Sequence, residues 1–272
     1  MRRTTARMAR RTIGHNEAQM SWNFPEGRPI TPASAEADRA TAATIAGAAN
    51  ELHQGHRDEE PAMKAHPAKS AGDDLNTLRA EAADCRDCHL WKDATQTVFG
   101  EGPAHAPIML VGEQPGDKED LAGKPFVGPA GQMLDRALKE AGIDRDRVYI
   151  TNAVKHFKFV PRGKIRLHQK PNTPEIKACR QWYERELATI KPSLVVAMGA
   201  TAAQSVFGKI TPVNKNRGHL IELDESTQAL VTVHPSYLLR LPDEDAKALE
   251  YDRFVDDLKI AAKLLRKLAR AA

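Results

Sequence analysis

Residues 108–116 read IMLVGEQPG: four apolar residues in a row, then a turn crowded with glycine, a carboxylate, an amide and proline. A short continuous apolar run bounded by turn residues marks a strand buried on both faces, as in a parallel sheet. Working outward, the same pattern recurs at 148–151, 194–198 and 229–233. Between these runs lie segments with helical spacing at about 130–141, 174–190 and 201–207, and a last one at about 245–269. In the second, Ile176, Cys179, Trp182, Tyr183, Leu187 and Ile190 share one face; Thr173 suits the N-cap and Pro174 the first helical position. The last helix carries acids early and Lys259, Lys263, Arg266 and Lys267 late, as the helix dipole favours. Strands alternating with helices predict an α/β chain, a three-layer α/β/α sandwich around a parallel, four-stranded sheet.

In such a sheet, sites form at the carboxyl ends of the strands. That rule selects Glu113 and Gln114 after the first strand, Asn152 at the end of the second in YITN, and His234 at the end of the fourth in VHPS. A carboxylate, an amide and an imidazole then converge on one rim, with Gly112 and Gly116 allowing close backbone approach.

The composition bounds the alternatives. With 272 residues, 41% of them hydrophobic, the chain can bury a sizeable core. No run approaches the ~18 apolar residues of a membrane span, and no secretory signal is visible, so a soluble, cytoplasmic protein is expected, with monomer as the default state. Three cysteines argue against a disulfide framework, and the Cys85-x-x-Cys88 pair reads as a metal or redox signal. A net charge of +4 is compatible with nucleic acid but does not diagnose it. Residues 1–74 hold five arginines among the first 12 residues and one aromatic cluster, SWNFP at 21–25, but no sustained period. They read as a disordered or loosely docked extension, and residues 75–272 as the domain.

Five segments, GEQPG, GKPFVGPAGQMLD, YITNAVK, KPSLVVAMGATAAQSVFG and VTVHPSYLLR, occur in this order over roughly residues 75–268 and resemble the family 4 uracil-DNA glycosylases. GEQPG with a later basic, His-containing insert resembles their UdgX branch. The resemblance implies that a uracil is flipped out of the strand and read in the pocket. Phe126 would stack on the base, Gln114 would line the pocket, and the Asn152 amide would pair with uracil O4 and N3–H, a donor and acceptor order that cytosine reverses. His234 would donate to uracil O2 as charge develops on the leaving base, and Ser236 would touch the DNA backbone.

Cys85 and Cys88, two residues apart, can face one metal, and Cys179 supplies a third thiol. A [4Fe–4S] site generally takes four ligands. In family 4 another Cys follows the Asn motif; here His156 stands in that place. The resemblance thus implies a [4Fe–4S] cluster on Cys85, Cys88, His156 and Cys179, with zinc as the rival and His89 poorly placed to compete.

Residues 155–170 contain six Lys or Arg, no acid, and the aromatics Phe157 and Phe159. Pro161 and Gly163 predict a loop, and its charge suits a phosphate backbone, with Lys164 and Arg166 as DNA contacts. GKIRLH resembles the basic loop ending in His that distinguishes UdgX, which makes His168 the candidate nucleophile. It would capture the sugar at C1′ once uracil leaves uracil-containing, single-stranded DNA, with Glu113 fixing its tautomer. Two other readings stand beside this one: a turnover glycosylase in which Glu113 positions water, and a non-catalytic metal-containing nucleic-acid-binding module.

Overall fold

The computed structural model describes residues 74–271; all but the last residue of the extension read from residues 1–74 lies outside them. Strands β1 (Ile108–Gly112), β2 (Val148–Asn152), β5 (Leu194–Met198) and β7 (Gln228–Thr232) are the four expected apolar runs and pair in parallel. The sheet has five strands, not four, in the order β2-β1-β5-β7-β6, because β6 (Leu220–Glu222) adds an antiparallel edge. This strand is three residues long with exposed Leu220 and Glu222, so it carries no apolar run to betray it.

The period-two alternation of each strand divides the core between two helical layers. Met109 and Val111 of β1 pack among Ile176, Tyr183 and Ala203, from α4 (Thr173–Ile190) and α5 (Ala200–Phe207), and against α1 (Leu75–Ala83). Ile108 and Leu110 face Leu134, Leu138 and Phe254, from α3 (Pro129–Ala141) and α8 (Glu244–Ala271). Each such side chain, removed from water, stabilises the fold by roughly 1.5–3 kcal/mol before conformational entropy is set against it. The cap of α4 is Asn172, not Thr173: its side chain accepts the Glu175 N–H (2.9 Å) while Glu175 accepts the Asn172 N–H (2.6 Å). This reciprocal box moves the helix start back by one residue.

The basic insert is a β-hairpin rather than a loop. β3 (Phe159–Arg162) pairs antiparallel with β4 (Ile165–His168), and the connection places Gly163 at φ +61°. Pro161 misled the sequence reading because a two-stranded ribbon has outer edges where its missing N–H costs nothing. Among the described residues no helix is long and apolar enough to cross a membrane.

Candidate functional site

The sheet order creates a switch point between β1 and β5, and the polar groups gather there. Gln114, Phe126, Asn152, His168, His234 and Ser236 line one cavity of about 240 Å³, together with Glu119 and Arg240. It adjoins a larger cleft of about 840 Å³, with His234 and Arg240 lining both and Glu113 lining the cleft.

Asn152 is buried at the end of β2, and its Oδ1 has no hydrogen-bond partner. An unsatisfied buried acceptor costs about 1–3 kcal/mol, and a ligand N–H would recover it. Gly112 makes room: a Cβ there would collide with Asn152 Oδ1 and the Phe126 ring. Phe126 itself has φ +56°, in the left-handed region, and its carbonyl lies where a side chain on Gly131 would fall. Its strained backbone is thus fixed by the first turn of α3. The Phe126 ring centroid is 5.8 Å from that of His234. Glu119, on the short helix α2 (Asp117–Ala122), accepts the N–H groups of Gly116 (3.1 Å) and Gly128 (2.7 Å). One buried carboxylate therefore ties the GEQPG turn to the Phe126 turn with charge-assisted bonds.

His234 Nδ1 accepts the Ser236 N–H at 3.1 Å and lies 2.8 Å from Ser236 Oγ. Accepting at Nδ1 leaves the neutral ring its proton on Nε2, and that atom is buried without a partner. Burial, with smaller contributions from Arg240 and His168, lowers the His234 pKa from 6.5 to about 4. The ring is a neutral N–H donor facing the cavity. Arg240 in turn donates to Ser236 Oγ at 3.0 Å.

His168 ends β4, half exposed, with Nε2 3.5 Å from Glu113 Oε1. Burial lowers its pKa, Glu113 works against that shift and Arg240 reinforces it, so the imidazole is neutral near pH 7 with a lone pair available. The other Glu113 oxygen, Oε2, accepts the Thr201 hydroxyl at 2.6 Å. Thr201 is the second residue of α5, in the turn that follows β5, so the strand-end rule that selected Glu113 also reached its neighbourhood.

Two residues have different surroundings from those expected. Gln114 lines the cavity, but its amide is spent on the hairpin: Nε2 donates to the carbonyls of Lys158 and Gln169 (3.1 Å each), and Oε1 accepts the Lys158 N–H (3.2 Å). Arg166 does not reach outward as a phosphate contact would. Its guanidinium bonds Asp117 (2.6 Å) and fully buried Asp120 (2.5 Å) and covers the rings of Phe157 and Phe159. The period of two along β4 explains this, since Arg166 and His168 share the inward face. Lys164, at the hairpin tip, is exposed.

Beneath the hairpin a buried network escaped the sequence reading. Lys155 and Glu186 pair at 2.7 Å with both side chains fully buried; Lys155 Nζ also donates to the Asn152 carbonyl, and Glu186 accepts from Tyr149 and Thr151. It fixes the backbone on which Asn152 rides. A Lys in a basic run and a Glu on a helix carry no local mark of such a pairing.

Cys85 and Cys88 precede a 3₁₀ turn (His89–Lys92), with Cys88 at its N-cap, and Cys179 is buried on α4. Burial raises all three thiols, Cys85 to about 11, and Cys179 feels both of the others. Sulfur already receives N–H donors: Trp182 to Cys85 and the Lys155 amide to Cys179, each at 3.2 Å. His156 is buried, with Nε2 2.9 Å from Thr97 Oγ1 and Nδ1 without a partner. His156 and Cys85 line a cavity of about 140 Å³. Among the described residues no three His, Cys, Asp or Glu side chains are grouped closely enough to hold a single metal ion. His89 is turned to Glu175, 3.4 Å away.

Comparison with known proteins places this architecture. The family model described as the uracil DNA glycosylase superfamily matches residues 99–259. A type-4 uracil-DNA glycosylase of Sulfurisphaera tokodaii is 34% identical over 200 residues, covering 70% of this chain and 87% of the relative. One from Thermotoga maritima is 36% identical over 184 residues, covering 67% and 90%. With the matched segment spanning the sheet, the cavity and the hairpin, the chain belongs to the uracil-DNA glycosylase superfamily.

Proposed function

We propose that the protein excises uracil from DNA, preferentially single-stranded, and then bonds itself to the exposed sugar through His168, as the UdgX branch does. The observation that carries this reading is the placement of an imidazole, His168, on the same cavity as Asn152, Phe126 and His234, where burial favours its uncharged form. A water-using glycosylase has no need of a nucleophilic side chain there.

The uracil would enter between Phe126 and Asn152, the amide giving Nδ2–H to O4 and taking N3–H on its unsatisfied Oδ1. As the C1′–N1 bond breaks, its electron pair goes to the base. His234 Nε2–H donates to O2 and holds that charge, and being already neutral it needs no prior proton transfer. The sugar is left as an oxocarbenium ion. A ring nitrogen of His168 adds its lone pair to C1′ in place of water, which makes the imidazole positive, and Glu113 accepts its proton. The product is a C1′–N bond and the uracil anion, which takes up a proton from solvent and leaves as free uracil.

For the metal site we propose a [4Fe–4S] cluster on Cys85, Cys88, His156 and Cys179. Supporting it are the vacant Nδ1 of His156, whose other nitrogen is held by Thr97 as a ligand's would be, and the N–H donors already aimed at sulfur. A cluster offers a separate iron to each ligand and so accepts ligands spaced more widely than those round one zinc. Its chemistry here would be structural, anchoring α4 to the segment before β1 and, through residues 155–156, the backbone below Asn152.

The test is a denaturing gel after mixing the protein with a uracil-containing single-stranded oligonucleotide. A band of retarded DNA that survives denaturant supports the whole reading. A free abasic product would reduce it to turnover excision, and no reaction would leave a non-catalytic binding module.

A further inference from the structure

We propose that Thr201 is a positioning residue for the trapping step: its hydroxyl pins Glu113 at a distance that lets the carboxylate orient His168 without drawing a proton onto it. This rests on the reading of His168 as nucleophile.

The geometry is set by the fold. β1 and β5 are adjacent and parallel, so the residues following each strand meet at the rim of the sheet. Glu113 follows β1, and Thr201 is the second residue of α5 after β5, 1% exposed. A hydroxyl has one proton to give, and Thr201 gives it to Glu113 Oε2 at 2.6 Å, the short range of a charge-assisted bond. The remaining oxygen, Oε1, stops 3.5 Å from His168 Nε2. At that separation the pair lies outside good hydrogen-bond range for N–H···O.

The spacing matters because the two roles of Glu113 conflict. A carboxylate close to an imidazole favours the imidazolium, which has no lone pair for C1′. A carboxylate held back biases which nitrogen carries the proton and accepts the surplus proton only after the new bond has made the ring positive. The charged or titratable groups facing His168 from neighbouring elements are Glu113 beyond β1, His234 beyond β7 and Arg240 after α7 (Pro235–Leu239), while Arg166 on its own strand is committed to Asp117 and Asp120. Arg240 opposes protonation of His168, and Glu113 promotes it. A Glu113 freed from Thr201 could rotate into full contact with the ring and shift this balance toward the charged form.

The variants are Thr201→Val, which keeps the shape and removes the hydroxyl, and Thr201→Ser, which keeps the hydroxyl. Two readouts are taken on the purified full chain: the NMR titration of the His168 ring, and the pH dependence of adduct formation with uracil-containing single-stranded DNA. In Thr201→Val the His168 titration and the acid limb of the adduct rate should both move up by about one pH unit. The rate on the acid limb should then fall by up to about tenfold, the full factor being reached well below the His168 pKa, while the alkaline plateau is retained. Thr201→Ser should restore both. A Thr201→Val protein that is slowed equally at all pH values with an unmoved His168 titration would overturn the proposal, as would failure of Ser to rescue. A wild-type protein that forms no adduct would refute the trapping reading itself, and the His168 titrations would still decide whether Thr201 sets the Glu113–His168 spacing.

Discussion

Arg166→Gln isolates what holds the hairpin in place. The substitution keeps a polar side chain but shortens it and deletes the charge that binds Asp117 and Asp120 and covers two aromatic rings. Breaking a fully buried ion pair costs about 3–5 kcal/mol, and an exposed one about 0–1. Here Asp120 is fully buried, the Arg166 side chain is 21% exposed and Asp117 51% exposed, which puts the loss between these limits, at roughly 2–3 kcal/mol. Asp120 keeps the Thr95 N–H, which limits the cost. Arg166 joins the hairpin to α2, so the loss falls on hairpin docking rather than on the sheet. At 1.4 kcal/mol per factor of ten, the undocked hairpin becomes ~30- to ~150-fold more populated. Amide hydrogen exchange should show that loss of protection across 159–168 with the sheet strands unaffected. Adduct formation should decline while uracil release persists. Adding Asp120→Asn, which removes the stranded charge, should recover part of the protection. Unchanged exchange in the hairpin, or a loss spread evenly over the sheet, would refute the reasoning.

Lys164→Gln, at the exposed hairpin tip, should lower the salt dependence of single-strand binding by about 0.7 in log–log slope, measured by fluorescence anisotropy. Purified protein should contain iron and sulfide, and Cys179→Ser or His156→Ala should lose both together with thermal stability; stoichiometric zinc on elemental analysis would replace the cluster assignment. Stability should decline in acid because His234 is held neutral, with its pKa at about 4 against 6.5 when unfolded. Protons then bind the unfolded chain first, so this contribution is whole above about pH 6.5 and is lost as pH falls toward 4. Thermal melts from pH 7 to 4.5 check it, and His234→Gln should flatten the dependence.

How far the sequence alone could see follows from which interactions are local. Continuous apolar runs announced β1, β2, β5 and β7, and the strand-end rule reached Glu113, Asn152 and His234, because burial on both faces and a turn at the end leave marks in adjacent residues. β6 was invisible, since a three-residue edge strand needs only a neighbour to pair with. The hairpin was read as a loop because Pro161 and Gly163 are breakers in any central element, whereas here they sit at an edge and a tight turn. The basic charge of residues 155–170 was legible, but its destination was not. Lys155 is paired in the core and Arg166 on α2, and only the fold brings Glu186, Asp117 and Asp120 to meet them. Thr201 was within reach of the same rule that chose Glu113, yet its bond to Glu113 depends on β1 and β5 being neighbours, which spacing along the chain does not reveal.

The central claim, that His168 divides base removal from trapping, is tested most directly by His168→Ala on uracil-containing single-stranded DNA, with free uracil and denaturant-resistant protein–DNA adduct quantified in the same reaction. Asn152, Phe126 and the His234 donor remain, so uracil should still be released, and with the imidazole gone water reaches C1′. The account predicts uracil release with an abasic product, repeated turnover and no adduct. An adduct that persists in His168→Ala would assign the nucleophile to another residue and contradict the account.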